Sequence, residues 1–170
     1  MKNLNLLITG AFCMLGFAGI AQTNNSYGAM QTRFEKKTLD HADSAAFVQS
    51  GIQKAQSLFE YNDVYLQNST NRSNQMYVEQ KAPELFYIEK GDTTNLDAVM
   101  TQTRAIVQKQ GGTPVEIQYT EKEGVLGQVT SVDTDPTFTA DLILLQVKKS
   151  FGTTSKKVWQ VFLANPTFQD

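Results

Sequence analysis

Residues 115–164 narrow the options most, because their two apolar segments, 138–151 and 156–164, are split only by a short turn. Ahead of them Val115, Ile117 and Tyr119 alternate with Glu116, Gln118 and Thr120, the period of a strand with one buried face. Lys122-Glu123-Gly124 fits a three-residue hairpin loop with Gly in the left-handed place. That loop sets Tyr119 opposite Gly127, Ile117 opposite Val129 and Val115 opposite Ser131. Asp133-Thr134-Asp135-Pro136 is the next turn. If Phe151 then pairs with Ser155 across Gly152-Thr153-Thr154, Val147 faces Trp159, Leu145 faces Val161 and Ile143 faces Leu163. One face is wholly apolar in its middle in that register. The other mixes Leu142, Leu144, Phe162 and Ala164 with Gln146, Gln160, Lys148 and Val158. A one-residue slip would mix the two classes, so this register is the expected one.

A sheet with an apolar face needs cover, and two upstream segments offer it. From Asp43 or Ser44, both good N-caps, Phe47, Val48, Gly51, Ile52, Ala55, Leu58 and Phe59 recur at helical spacing. A second helix starts at a Thr94 cap with Asp97 three residues on. It lines Leu96, Val99, Met100, Thr103, Ile106 and Val107 along one side and stops at Gly111-Gly112. Between the two, residues 67–75 read as a polar surface loop. Met76-Tyr77-Val78 and Leu85-Phe86-Tyr87-Ile88 read as two short strands, with a helical turn from Pro83 as the competing reading, and Gly91-Asp92 closes the second run. The fold class is therefore α+β: two helices packed on one face of a curved antiparallel sheet of four main strands. This roll is similar in element order to NTF2-like and cystatin-like folds. The resemblance rests on element order and not on a residue motif, so it implies nothing about function.

The N-terminus reads as a targeting segment. Lys2 is followed by an uncharged stretch from Leu4 to Ile20, and Gly19-Ile20-Ala21 offers small residues where a signal peptidase cuts. An uncleaved anchor is the competing reading, since the stretch just reaches bilayer length. Lipidation of Cys13 is a third, although Gly10 and Phe12 occupy the positions where a Leu and a small residue are usual. The expected organisation is a signal peptide over 1–21, a flexible leader over 22–42 and a single α+β domain over 43–170. Cleavage near Ala21 would export the chain to the periplasm or outside the cell. It would also remove the sole cysteine, and with it disulfide, thiol and zinc-thiolate chemistry.

Candidate chemistry is sparse. His41 is the single histidine, set in Asp40-His41-Ala42-Asp43, and reads as part of a solvated helix start. No Gly-x-Ser-x-Gly elbow accompanies it, so a triad is not expected. Asp133-Thr134-Asp135 opens like a calcium loop, but Phe138 and Leu144 stand where Gly and Glu are needed. No catalytic residue, metal site or cofactor is expected. Asp141 shares its expected face with Ile143, Leu145 and Val147, so burial would raise its pKa and mark a site. Trp159 and Tyr119, with Phe86 and Tyr87, are the aromatics that would line a ligand pocket. Asp141, Tyr119 and Trp159 are thus the candidate ligand-binding residues. Lys148-Lys149 and Lys156-Lys157 make a basic tip on a chain whose net charge is −2. Without a larger basic cluster, nucleic acid is not an expected partner.

Three function classes follow. The first is a secreted or periplasmic non-catalytic binding or accessory domain for a small molecule or a protein. The second is a small-ligand enzyme of NTF2-like type with a pocket between sheet and helices. The third is a protein-interaction or inhibitory domain acting through the sheet face, where a homodimer could also form. No stable membrane insertion is expected once the signal is removed.

Overall fold

A computed structural model of the chain describes residues 39, 41–68, 70–89 and 94–170. The expected signal peptide, most of the leader and Gly91-Asp92 lie outside the described residues, as does the side chain of His41. Among the described residues there are three α-helices and four strands: α1 (His41–Gln67), α2 (Arg72–Lys81), a 3-10 helix (Ala82–Leu85), α3 (Leu96–Gln110), β1 (Ile117–Thr120), β2 (Gly127–Ser131), β3 (Thr137–Phe151) and β4 (Thr154–Gln169). The strands form one open antiparallel sheet in the order β1-β2-β3-β4. The chain is an α+β protein with helical cover on one face of that sheet.

The long helix α1 touches all four strands, and α2 and α3 pack against it. Its apolar stripe supplies Phe47, Ala55, Leu58 and Phe59 to the core, where they meet Val129, Phe138, Ala140, Leu142, Val161 and Leu163. Phe59 and Phe138 meet edge to face at 5.6 Å. Gly51 is the point of closest approach, because Leu142 lies where a Cβ would be. Helix α3 begins one residue later than expected, at an Asn95 cap whose Oδ1 accepts from the Ala98 N–H at 3.2 Å. It ends at Gly111 with φ 61°, as the paired glycines predicted.

The segment between α1 and α3 differs from the strand reading. Residues 67–75 are only in part a loop: Asn71 caps α2, accepting from the Asn74 N–H, and Met76-Tyr77-Val78 is helical. The reason is burial. Met76 and Tyr77 stay exposed, while Val78, Ala82 and Leu85 are buried at four- and three-residue spacing. Strand propensity lost to that stripe. Pro83 lies in the first turn of the 3-10 helix, as the competing reading had it. The expected second strand shrinks to one parallel bridge, Phe86 to Leu163, with the Tyr87 N–H donating to the Leu163 carbonyl at 2.9 Å.

Both hairpin registers also differ. In the β1–β2 pair Tyr119 lies opposite Val129 and Ile117 opposite Ser131, a shift of two residues. An even shift keeps every side chain on its expected face. The β3–β4 turn is Gly152-Thr153, with Gly152 at φ 62°, so Phe151 pairs with Thr154, Val147 with Val158 and Gln146 with Trp159. This odd shift separates Ile143, Leu145 and Val147 from Trp159, Val161 and Leu163. The latter three join Leu142 and Leu144 on the helix-covered face. The base of the hairpin decides the matter: Phe138, Ala140, Leu142 and Leu163 are fully buried there. Only the shorter turn puts all of them under α1. Near that base Asn165, at φ 48°, and Pro166 oppose Ala140, a bulge that shifts the pairing so that Thr139 meets Thr167.

Candidate functional site

The three predicted residues are not brought together. Tyr119 and Trp159 lie on the helix-covered face but on opposite edge strands, with β2 and β3 between them, a lateral separation of about 14 Å. Asp141 points from the other face. Tyr119 is half-buried; its ring covers Gly127 and its hydroxyl donates to the Leu126 carbonyl at 3.0 Å. Gly127 has φ 153° and leaves room for that ring, 2.7 Å from Tyr119 Cζ to where a Cβ would sit. Trp159 packs against the rim of the core. Phe86 is buried, and Tyr87 leans on Phe162 with ring centroids 6.2 Å apart.

Asp141 is the one buried carboxylate of the sheet's outer face for which partners are resolved, and three donors surround it. Lys122 Nζ donates to Oδ1 at 2.6 Å, Gln128 Nε2 to Oδ1 at 3.2 Å and Asn165 Nδ2 to Oδ2 at 3.1 Å. Burial pushes its pKa up, but the hydrogen bonds from Lys122, Asn165 and Gln128 outweigh burial and hold it below the ordinary value. The expected upward shift is therefore reversed. The carboxylate stays ionised, and the loop, β2, β3 and the β4 bulge are tied to it. These three contacts make Asp141 a structural anchor between those segments. Sequence reasoning missed Lys122, Gln128 and Asn165. Asn165-Pro166 inside an otherwise apolar strand was the available signal, since that dipeptide favours a turn or bulge.

The acidic turn at 133–135 is likewise internal. Lys109 Nζ donates to the Asp135 carbonyl at 2.9 Å and to its Oδ2 at 3.0 Å, and Gln110 Nε2 donates to the Asp133 carbonyl at 3.0 Å. Among the described residues no group of three or more His, Cys, Asp or Glu side chains is placed to hold a metal. No helix among them is long and apolar enough to cross a membrane.

Two surface features of the described residues bear on binding. A cleft of about 260 Å³ opens between α1 and the α3–β1 connection, with Phe59, Val107 and Val115 as its apolar part and Gln56, Glu60 and Asp63 at its rim. Tyr119, Asp141 and Trp159 do not line it. Asp63 already accepts from Gln67 Nε2 at 2.6 Å. The second feature is the far end of the β3–β4 hairpin. β2 pairs with β3 only as far as Leu142, and beyond that the two strands continue as a ribbon. Every residue from Lys148 to Lys157 whose exposure is described is exposed. Lys148 lies directly opposite Lys157 and Lys149 opposite Lys156, like charges facing across strands. Lys54 of α1, stacked 5.2 Å over the Phe162 ring, joins them. Its pKa is lowered first by burial and then by the charge of Lys149, with Glu84 opposing.

No family model, curated protein or solved structure matches the chain. The likeness in element order to NTF2-like and cystatin-like folds thus has no structural neighbour behind it.

Proposed function

We propose that the chain is an exported, non-catalytic binding domain that meets its partner through the β3–β4 hairpin. The observation that supports this is where its polar groups lie. Buried Asn62, Thr103, Ser131 and Asp141 are all engaged within the fold. Four exposed lysines, Lys148, Lys149, Lys156 and Lys157, face one another in pairs across the projecting ribbon. Such an arrangement favours recognition over proton transfer, which needs a poised group in a cleft.

The test is site-specific photo-crosslinking in the producing cell. A photoreactive side chain at Ser150 or Ser155 should capture a partner, and one at Gln56 in the cleft should not. Capture only from Gln56 would sink the hairpin reading. It would favour the small-ligand alternative, to which the apolar floor of Phe59, Val107 and Val115 gives support. Export is tested separately by native mass spectrometry of the protein purified from cells. The mass should lack residues 1–21, and an intact N-terminus would refute cleavage. The same spectrum reports whether a second copy occupies the sheet face.

A further inference from the structure

Beyond the end of β2, strand β3 has an open backbone edge. On the β2 side the Leu142 carbonyl accepts from the Leu126 N–H at 2.9 Å. Backbone groups of a strand in an antiparallel sheet point to alternate neighbours residue by residue. The N–H and C=O of Gln146, Lys148 and Ser150 therefore point the same way as those of Leu142, away from β4. Pairing with β2 stops at Leu142, and among the described residues no strand other than β4 pairs with β3 from there to the turn. Gln146, Lys148 and Ser150 are all exposed, and each offers one donor and one acceptor. The open edge from 146 to 150 runs about 14 Å.

An open edge is a template for a further strand, and the side chains beside it select which strand. Lys148 stands on the face of Leu144, and Lys149 stands on the opposite face next to half-buried Val147. No acidic residue occurs between Asp141 and Asp170, although the chain as a whole has a net charge of −2. A basic strand laid on this edge would be repelled, and a second copy of the edge would add its own lysines to the same ribbon. An acidic strand instead gains opposite-charge pairs across the new ladder. Laid antiparallel to β3, as β2 is, such a strand puts two consecutive acidic residues opposite Lys149 and Lys148, and an apolar one opposite Val147.

Building on the hairpin-binding reading above, we propose that the β3 edge from 146 to 150 takes up an extended acidic peptide as an added antiparallel strand. Backbone hydrogen bonds to Gln146, Lys148 and Ser150 hold the peptide. Lys148, Lys149 and Val147 choose its sequence, which reads acidic, acidic, apolar from N to C.

The probe is the synthetic peptide acetyl-Ser-Thr-Glu-Glu-Val-Thr-Ser-amide, titrated into the isotope-labelled full protein purified from cells and followed by NMR. Bound peptide should slow hydrogen exchange at the amides of Gln146, Lys148 and Ser150. The amides of Val147 and Lys149 face β4 and should not change. N-methylation of the Glu that lies opposite Lys148 keeps the charge but removes one hydrogen bond, and should weaken binding at least about threefold. Lys148→Gln and Lys149→Gln should each weaken it about two- to fivefold with unchanged melting temperature, and a peptide with Lys in place of both Glu residues should not bind. Undiminished binding by the N-methylated peptide, or equal binding by the lysine peptide, would overturn the added strand. So would a dimer that forms without peptide and buries the same three amides, because the edge would then belong to a second copy. If the peptide fails to bind while Ser150 or Ser155 photo-crosslinks to a partner, the added strand falls and the hairpin-binding reading survives. If neither occurs, both fall.

Discussion

Gly51→Ala tests the packing on which the fold depends, because two opposing terms have comparable size. In a helix interior Ala is favoured over Gly by roughly 0.5–1 kcal/mol. Position 51 lies in mid-α1, so propensity alone predicts stabilisation. The structure predicts the reverse. An added methyl would crowd both terminal methyls of Leu142 and lie 3.1 Å from its Cγ, with Cδ2 at 2.9 Å. Turning the Leu142 isopropyl group cannot relieve a clash that reaches Cγ; the whole side chain must shift, and it is fully buried. Overpacking of this kind costs about 1–3 kcal/mol. The net expectation is a loss of roughly 1–2 kcal/mol, or a Tm drop of about 3–6 °C. Urea unfolding followed by the fluorescence of the sole tryptophan, Trp159, gives the number. The decisive comparison is the same change in a Leu142→Ala background. Leu142→Ala alone should cost about 2–5 kcal/mol, and Gly51→Ala should then become stabilising, because the crowding is gone and part of the cavity is refilled. Stabilisation in the parent, or strict additivity of the two changes, would refute the close approach of α1 to β3.

Three further outcomes follow from the same contacts. Asp141→Asn should destabilise the protein near neutral pH. Because the folded carboxyl titrates below its ordinary value of 3.8, its contribution is present above that value and lost as pH falls through the lower folded one. The parent-minus-variant difference should therefore shrink in acid, and a difference that widens there would contradict the anchor. Asn62→Ala should cost about 1–3 kcal/mol in chemical denaturation. Buried Asn62 donates to the Leu58 carbonyl at 2.7 Å and accepts from Arg104 Nε at 3.1 Å, so a neutral result would refute its role between α1 and α3. Gly127→Ala should be far more damaging than Tyr119→Phe, which loses one hydrogen bond worth about 0.5–1.5 kcal/mol. A Tyr119→Ala background should relieve part of the Gly127→Ala loss in thermal melts, and no relief would place the Tyr119 ring elsewhere.

Much of the architecture was legible because it follows from periodicity. The stripe from Phe47 to Phe59, the stripe from Leu96 to Val107 and the alternation around Tyr119 each name an element without reference to any other. The Gly111 stop is equally local. The candidate site was not legible in this way. Burial was the reason for choosing Asp141, and Asp141 is indeed buried, but its chemistry depends on Lys122, Gln128 and Asn165, residues 13 to 24 positions away. Three donors turned an expected upward shift into a downward one. Tyr119 and Trp159 were chosen as aromatics with a common purpose, yet each serves a different edge of the sheet.

The one-dimensional pattern by itself determined that this chain makes amphipathic helices followed by an antiparallel sheet, since those periods are properties of short segments. Which side of the sheet each aliphatic residue of the last hairpin faces was decided in three dimensions. A turn of two or three residues is nearly neutral locally, but it inverts every side chain beyond it. Only the simultaneous burial of Phe138, Leu142 and Leu163 beneath α1 selects the shorter one. The same selection divides the four lysines between the two faces of the ribbon.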